Sequence, residues 1–473
     1  MTSRTARSAS GWQQLPVRER RARGKAARER SPRGAHAAWE PAPDRRDPIE
    51  LLEEQATTRV LELLPIRYGR MAASPFAFYR GAAAIMAEDL ARTPTAGFRV
   101  QLCGDAHLSN FGSYASAERS LVFDINDFDE SMPGPWEWDL KRLATSFAIA
   151  GRELGLSPVD RRDLVLGVVT HYRNAMADFA EMRNLEVWYS HLAVDEILAT
   201  VRARGTKKQV KRVEGTIGKA MSRDNLQAFS KLTHVVDGHS RIKSDPPILV
   251  PLADLVSADD AAVVTEHLRR ILRGYRRTLS PDRRELLDQF RLVDVARKVV
   301  GVGSVGTQAW VALLLGRDGD DPLFLQFKEA QPSVLARHVG LIEFKNEGQR
   351  VVTGQRRMQA TSDIFLGWHR VKGPDGRRQD FYVRQLRDWK ASAMVERMHS
   401  RELAPYGHLC AWTLARAHAR TGDRIAIAAY MGTSAVLDEA IAAFSEVYAE
   451  QNERDHATLC GAIAEGRIEA ETG

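Results

Sequence analysis

Two apolar runs with a polar loop between them constrain this chain more than any other stretch. Residues 98–102 (FRVQL) read as a strand entering the loop Gly104-Asp105-Ala106-His107-Leu108-Ser109-Asn110. Residues 121–125 (LVFDI) read as a second strand, and it runs out into Asp127, Asp129 and Glu130. Two strand ends therefore deliver an Asp, an Asn and further Asp side chains to one place. All are oxygen donors. Magnesium takes oxygen ligands, and it keeps waters and substrate phosphates in its shell rather than a full protein cage. An Asp outside that shell is placed to act as a base toward a hydroxyl.

A second signal lies far along the chain. Gly301, Gly303 and Gly306, with Ser304 among them, spell a G-x-G-x-x-G. In a dinucleotide site this pattern follows a strand and opens a helix. In a kinase it sits in a β-hairpin, with a lysine on the next strand. Here residues 307–315 are followed by a turn dense in Gly, Asp and Pro, and then by Leu323-Phe324-Leu325-Gln326-Phe327-Lys328. The hairpin is the preferred reading. Its glycines let backbone N–H groups approach phosphate oxygens, and Lys328 neutralises charge on the α and β phosphates.

The Asp105 loop, the Asn five residues beyond it and the Ile125-to-Phe128 segment resemble the aminoglycoside-phosphotransferase and choline-kinase branch of the protein-kinase-like superfamily. Two departures stand out: Cys103 occupies the place of a His, and Asn126 interrupts the Ile-Asp pair. The longer phrase GDAHLSNFG…VFDINDFDES…GPWEWDLKRLATS also resembles an uncharacterised bacterial domain-of-unknown-function family, from about residue 48 to the C-terminus. That second resemblance carries no activity.

The first resemblance implies ATP and Mg as cofactors and phosphoryl transfer to a hydroxyl of a small-molecule acceptor, with nucleotidyl transfer open. It implies that Asp105 is the base, that Asn110 and Asp127 hold the metal, and that Asp129 assists a second metal or orders Arg80. Asp139 would hydrogen-bond back to the loop. A helix near residues 347–352 would supply a carboxylate to Lys328, from Glu347 in preference to Glu329 or Glu343. Residues 383–386 would form the hinge beside adenine. Residues 408–418 resemble the helix that leads into the catalytic loop in ordinary kinases. The order of these parts is rotated, so the expected fold is α+β: a protein-kinase-like two-lobed frame, circularly permuted, with a large helical portion and a small antiparallel-sheet lobe.

The corresponding division is a disordered basic arm over 1–46, a helical lobe with loop and metal motif over 47–291, a sheet lobe over 292–390, and returning helices over 391–473. The chain carries 68 Lys and Arg against 61 Asp and Glu, a net charge of +7, and much of that excess lies in the arm. Nucleic acid is a conceivable partner through the arm alone; a solvated tail is preferred. Three well-separated cysteines suggest a reducing, cytoplasmic setting. No run is apolar enough for a bilayer, and the Arg-rich start lacks the apolar stretch of a signal peptide. Arg67, Arg70 and Arg80 could reach phosphates or pair with the acids at 124–130. Arg173, Trp188 and Tyr189 are candidates for an acceptor pocket. Two rival readings are a non-catalytic nucleotide-binding or scaffold protein on the same frame, and a metallophosphoesterase, which lacks an earlier Asp-x-His here.

Overall fold

Helix starts follow their caps. The Asp47 carboxylate accepts from the Ile49 N–H at 2.6 Å and opens the helix Pro48–Ala56. Ser74, Ser157 and Ser257 open Pro75–Gly81, Pro158–Glu181 and Ala258–Arg276 in the same way. Pro65 lies in the first turn of the next helix, Leu64–Ala72. Proline has no N–H to lose at that position, so it starts helices as readily as it ends them.

The computed structural model describes residues 11–204, 206–299, 301, 303, 305–340, 344–373, 376–386, 389, 391–392 and 398–471. Ser304 and Glu343 lie outside the described residues, as do residues 1–10 of the arm.

The helical body is built around Trp136–Glu153, in which 16 of 18 residues are buried. Pro158–Glu181, Ser400–Thr421 and Val436–Ala464 pack around it. Trp136 and Trp138 serve as core, and Trp136 stacks on Tyr172 with ring centroids 5.9 Å apart. Among the described residues no single helix is long and apolar enough to cross a membrane.

The main sheet has six strands in the order Gly367–Lys372, Arg378–Gln385, Pro322–Glu329, Ala309–Leu315, Arg291–Lys298, Leu249–Pro251, and every ladder is antiparallel. Alternate residues of the central strands, such as Leu323, Leu325 and Phe327, bury against the apolar stripe of Ala258–Arg276. The sheet unit therefore begins before residue 292, because Leu249–Pro251 and the Ala258–Arg276 helix belong to it. The two runs that bracket the Asp105 loop do not pair with each other. Arg99–Leu102 pairs with Met132–Pro135, and Leu121–Ile125 forms a hairpin with Phe111–Ala115. Mixed helix and antiparallel sheet make this an α+β chain.

Residues 11–46 are not a disordered arm. Val17–Arg30 is a helix packed on Arg424–Met431. Arg20 pairs with buried Asp423 at 2.8 Å, and Arg45 spans Asp89 and Asp455 at 2.8 and 2.7 Å. Charge density suggests disorder only while the partners are unknown. Here two of the three partners, Asp423 and Asp455, are acids 403 and 410 residues away.

Candidate functional site

The hairpin register assembles the carboxylates. Phe111 lies opposite Ile125, so Asn110 and Asp127 leave the ladder at the same end. The Asn126 N–H donates to the Asn110 carbonyl at 2.8 Å and ties the two segments together. Asn110 Nδ2 donates to the Asp105 carbonyl at 2.7 Å, which leaves its amide oxygen uncommitted. Asp127 Oδ1 accepts from the Asp129 N–H at 3.1 Å. Gly104 makes the approach possible. Its φ is +84°, and a Cβ there would stand 2.3 Å from the Glu130 carbonyl oxygen.

Asp105 is held from one side. Arg142 Nε donates to its Oδ1 at 2.9 Å and Nη2 is ion-paired with the same oxygen at 2.7 Å, while His107 Nε2 stands 3.6 Å from Oδ2. Burial pushes the Asp105 carboxyl above the usual carboxylate range, against the pull of Arg142 and Arg80. Burial likewise drives His107 well below the ordinary imidazole value, so it is neutral. Asp139 accepts from the Cys103 and Gly104 N–H groups at 2.9 and 3.0 Å, which is the loop support expected of it. Its Oδ2 lies 3.3 Å from His418 Nε2, and the other nitrogen of that ring is 2.8 Å from the Tyr172 hydroxyl.

Lys328 reaches the same place from the sheet. Its ammonium pairs with Asp129 Oδ2, and the Tyr382 hydroxyl donates to Oδ1 at 2.7 Å. Lys328 and Tyr382 are direct cross-strand neighbours, so sheet register supplies both. The ion pair holds the Asp129 carboxyl below its ordinary range. Burial and the Asp129 charge push Asp127 above it. Among the described residues Lys328 pairs with Asp129 and not with Glu347, which pairs with Arg350 at 2.5 Å on its own helix, Glu347–Met358. Arg350 in turn donates to the Ser131 carbonyl at 2.8 Å and braces the carboxylate segment.

One cavity of about 980 Å³ is lined by Asp105, Asn110, Asp127, Asp129, Gly301, Gly303 and Glu347. The glycine-rich segment lies between the strands Arg291–Lys298 and Ala309–Leu315, which form a hairpin as expected. Gly306, at φ +91°, packs against the Arg59 side chain, whose guanidinium donates to the Val305 carbonyl. The strand end expected as a hinge borders a different, smaller cavity of about 160 Å³, where Gln385 and Leu386 meet Asn126 and Arg384.

Of the three early arginines, only Arg80 lines the large cavity. Arg67 is buried on Gln55 at 2.9 Å, and Arg70 donates to the Gly301 carbonyl at 2.8 Å. Asp124 is committed to the core, with both oxygens 2.7 Å from Arg416. Trp188 and Tyr189 are exposed and do not line the cavity, and Arg173 is spent on Asp438.

Residues 59–462 match the family described as "Uncharacterized protein conserved in bacteria (DUF2252)". The chain belongs to that family. No curated protein and no solved structure matches it. The match begins at Arg59, so the packed helix Val17–Arg30 of this DUF2252 chain lies outside it.

The donor set of the DUF2252 site suits magnesium. Asn110 and Asp127 offer two oxygens beside a roomy cavity, and such a metal completes its shell with water and phosphate. Among the described residues no group of three or more His, Cys, Asp and Glu is arranged to hold a metal by itself. Arg142 and Tyr382 are site residues that the sequence reading missed. Arg142 could have been found, because it lies one helical turn beyond Asp139 and shares its face. Tyr382 could not, because only the sheet register puts it beside Lys328.

Proposed function

We propose that the DUF2252 chain transfers the γ-phosphoryl group of ATP to a hydroxyl of a small molecule. The frame in this reading is a two-lobed one of the protein-kinase kind, circularly permuted, in a cytoplasmic setting. The observation that carries it is the pairing, across 199 residues, of buried Lys328 with Asp129, which lines the cavity together with Asp105, Asn110 and Asp127. Kinases use a strand lysine, a loop Asp, an Asn and a strand-end Asp in this combination. A second support is the end of Ser400–Thr421. Thr421 Oγ1 accepts from the Gln101 N–H at 3.1 Å, so this helix stops beside the strand that enters the Asp105 loop. In an unpermuted kinase the two would be continuous.

Magnesium on Asn110 and Asp127 would supply charge neutralisation to the phosphate oxygens. The chain's own residues do the rest. Asp105 Oδ2, opposite the Arg142 clamp, takes the hydroxyl proton as the acceptor oxygen bonds to phosphorus. The bond from phosphorus to the β–γ bridging oxygen breaks, and ADP leaves with that electron pair. Lys328 shifts part of its hold from Asp129 to the α and β phosphates. Gly301 and Gly303 keep side chains clear of them. Catalysis of this sort is positioning and charge placement.

The test is calorimetric titration with Mg·ATP, followed by incubation with γ-labelled and α-labelled ATP across a metabolite panel. Micromolar binding, weakened about tenfold or more by Lys328→Met, and transfer of the γ label are expected. Transfer of the α label would make the chain a nucleotidyltransferase. Binding without transfer of either label would make it a nucleotide-binding scaffold. Absence of Mg·ATP binding would end the reading.

A further inference from the structure

Two of the arginines in the wall of the large cavity are already neutralised by acids. Arg337 is paired with Glu54 at 2.6 Å and Arg370 with Asp380 at 2.5 Å. Arg142, just behind the wall, is held on Asp105. Arg80 differs. It lines the cavity beside Asp105, His107, Asn110 and Asp127, and its Nε is buried with no hydrogen-bond partner. No hydrogen bond or ion pair joins its guanidinium to any described residue. A partly buried guanidinium without an acceptor is costly to keep unless a ligand supplies one.

Its place is defined on two sides. The Arg80 carbonyl lies 3.2 Å from where a Cβ on Gly303 would stand, so the glycine-rich hairpin rests against this turn of chain. On the other side its charge acts on Asp105 and on His107. Arg80 therefore stands between the segment read as the phosphate cradle and the carboxylate read as the base. In phosphoryl transfer that interval is crossed by the migrating group, whose equatorial oxygens carry the developing charge.

We propose that Arg80 forms an anion site for the phosphoryl group in transit, donating to its equatorial oxygens once it has left the β-phosphate. The inference rests on the phosphotransfer reading above and adds to it a cation supplied in cis by the helix Pro75–Gly81. Arg80 is in this sense a transition-state ligand, not a ground-state nucleotide contact. Its loss should weaken what resembles the transferring group and spare the diphosphate.

The experiment is calorimetric titration of wild type, Arg80→Met and Arg80→Lys with Mg·ADP, and with Mg·ADP plus aluminium fluoride, which mimics the planar transferring group. Wild type should bind the fluoroaluminate form at least about 100-fold more tightly than Mg·ADP alone. Arg80→Met should keep the Mg·ADP affinity within about twofold and lose about 100-fold for the fluoroaluminate form. Arg80→Lys should recover part of that loss, and it serves as the folding control, with melting temperature and circular dichroism recorded for all three proteins. Equal fluoroaluminate affinity in wild type and Arg80→Met overturns the inference and leaves the phosphotransfer reading intact. An equal loss for both ligand forms also overturns it, since Arg80 would then be a ground-state contact. Failure of wild type to bind either form removes both readings together.

Discussion

Asp105 answers to opposed forces, and its working pH follows from their balance. Burial favours the neutral acid; Arg142, at 2.7 Å, and Arg80 favour the carboxylate, and burial prevails. A base must be ionised to accept a proton. Transfer should therefore fall away as pH drops through a value above the ordinary carboxylate range, and this acid limb should be absent in Asp105→Asn. That substitution should lower the transfer rate by about 10²–10⁴-fold while leaving Mg·ATP affinity within a few-fold. A pH–rate profile and a calorimetric titration on the same preparation check it; undiminished transfer in Asp105→Asn would remove Asp105 from the role of base. At this scale much was legible in the sequence. Asp105, Asn110 and Asp127 lie close in sequence at strand ends, and the structure brings them to one cavity. What escaped depends on distance through space. Asp129 replaces Glu347 as the partner of Lys328 because the carboxylate segment projects under the sheet, and no spacing rule within residues 292–390 contains that fact.

Among the elements, the helix Trp136–Glu153 holds a conflict of its own. Glu137 and Lys141 sit one turn apart, both at 0% exposure. Among the described residues the Lys141 ammonium has no hydrogen-bond partner, and it rests 4.3 Å from the Phe444 ring centroid. Burial raises Glu137 to about 7 and lowers Lys141 to about 7. The signs differ. A raised carboxyl contributes stability that is full below its unfolded value and is lost as pH rises toward 7. A lowered ammonium contributes stability that is full above its unfolded value and is lost as pH falls toward 7. Together they place the least favourable point near neutrality. Glu137→Gln with Lys141→Met keeps the acceptor that takes the Ala96 N–H at 2.6 Å and removes both charges. The double variant should be more stable than wild type at pH 7 by about 1–4 kcal/mol, with the gap narrowing toward both pH 5 and pH 9. Chemical denaturation at the three pH values measures it; a gap that is constant with pH would mean that neither group titrates as assigned. The complete burial of this helix is not legible from an apolar period. A surface helix and a central one share the same stripe, and only the packing of Pro158–Glu181, Ser400–Thr421 and Val436–Ala464 on its remaining faces tells them apart.

Over the whole molecule, the two ends of the chain are fastened to each other. Composition reads residues 1–46 as a charged tail, yet from Val17 onward some of its cations face inward. Arg20 neutralises Asp423, and Arg45 neutralises Asp89 and Asp455. His36 Nε2 lies 2.7 Å from the Tyr430 hydroxyl, and Trp39 packs edge-on to Tyr448 at 4.8 Å. Asp89 and Asp455 are about 5% and 4% exposed, so removing Arg45 strands two carboxylates in the interior. Breaking one buried pair from one side costs about 3–5 kcal/mol. Deletion of residues 1–46 breaks two such clusters and exposes the apolar surface under Trp39. The truncated chain should therefore melt well over 10 °C lower than the full chain, or fail to fold, although the family match begins only at Arg59. Arg45→Met alone should show part of the loss. A truncated protein that melts with the full chain would return the segment to the status of a solvated tail. The same geometry bears on the site. The Asp139–His418 contact and the Thr421–Gln101 hydrogen bond both hang on Ser400–Thr421, and the next helix, Arg424–Met431, is the one that Val17–Arg30 covers. Loosening the N-terminal segment should thus reach the Asp105 loop through two packed helices. It should appear there as faster amide exchange at Cys103 and Gly104, whose N–H groups Asp139 holds.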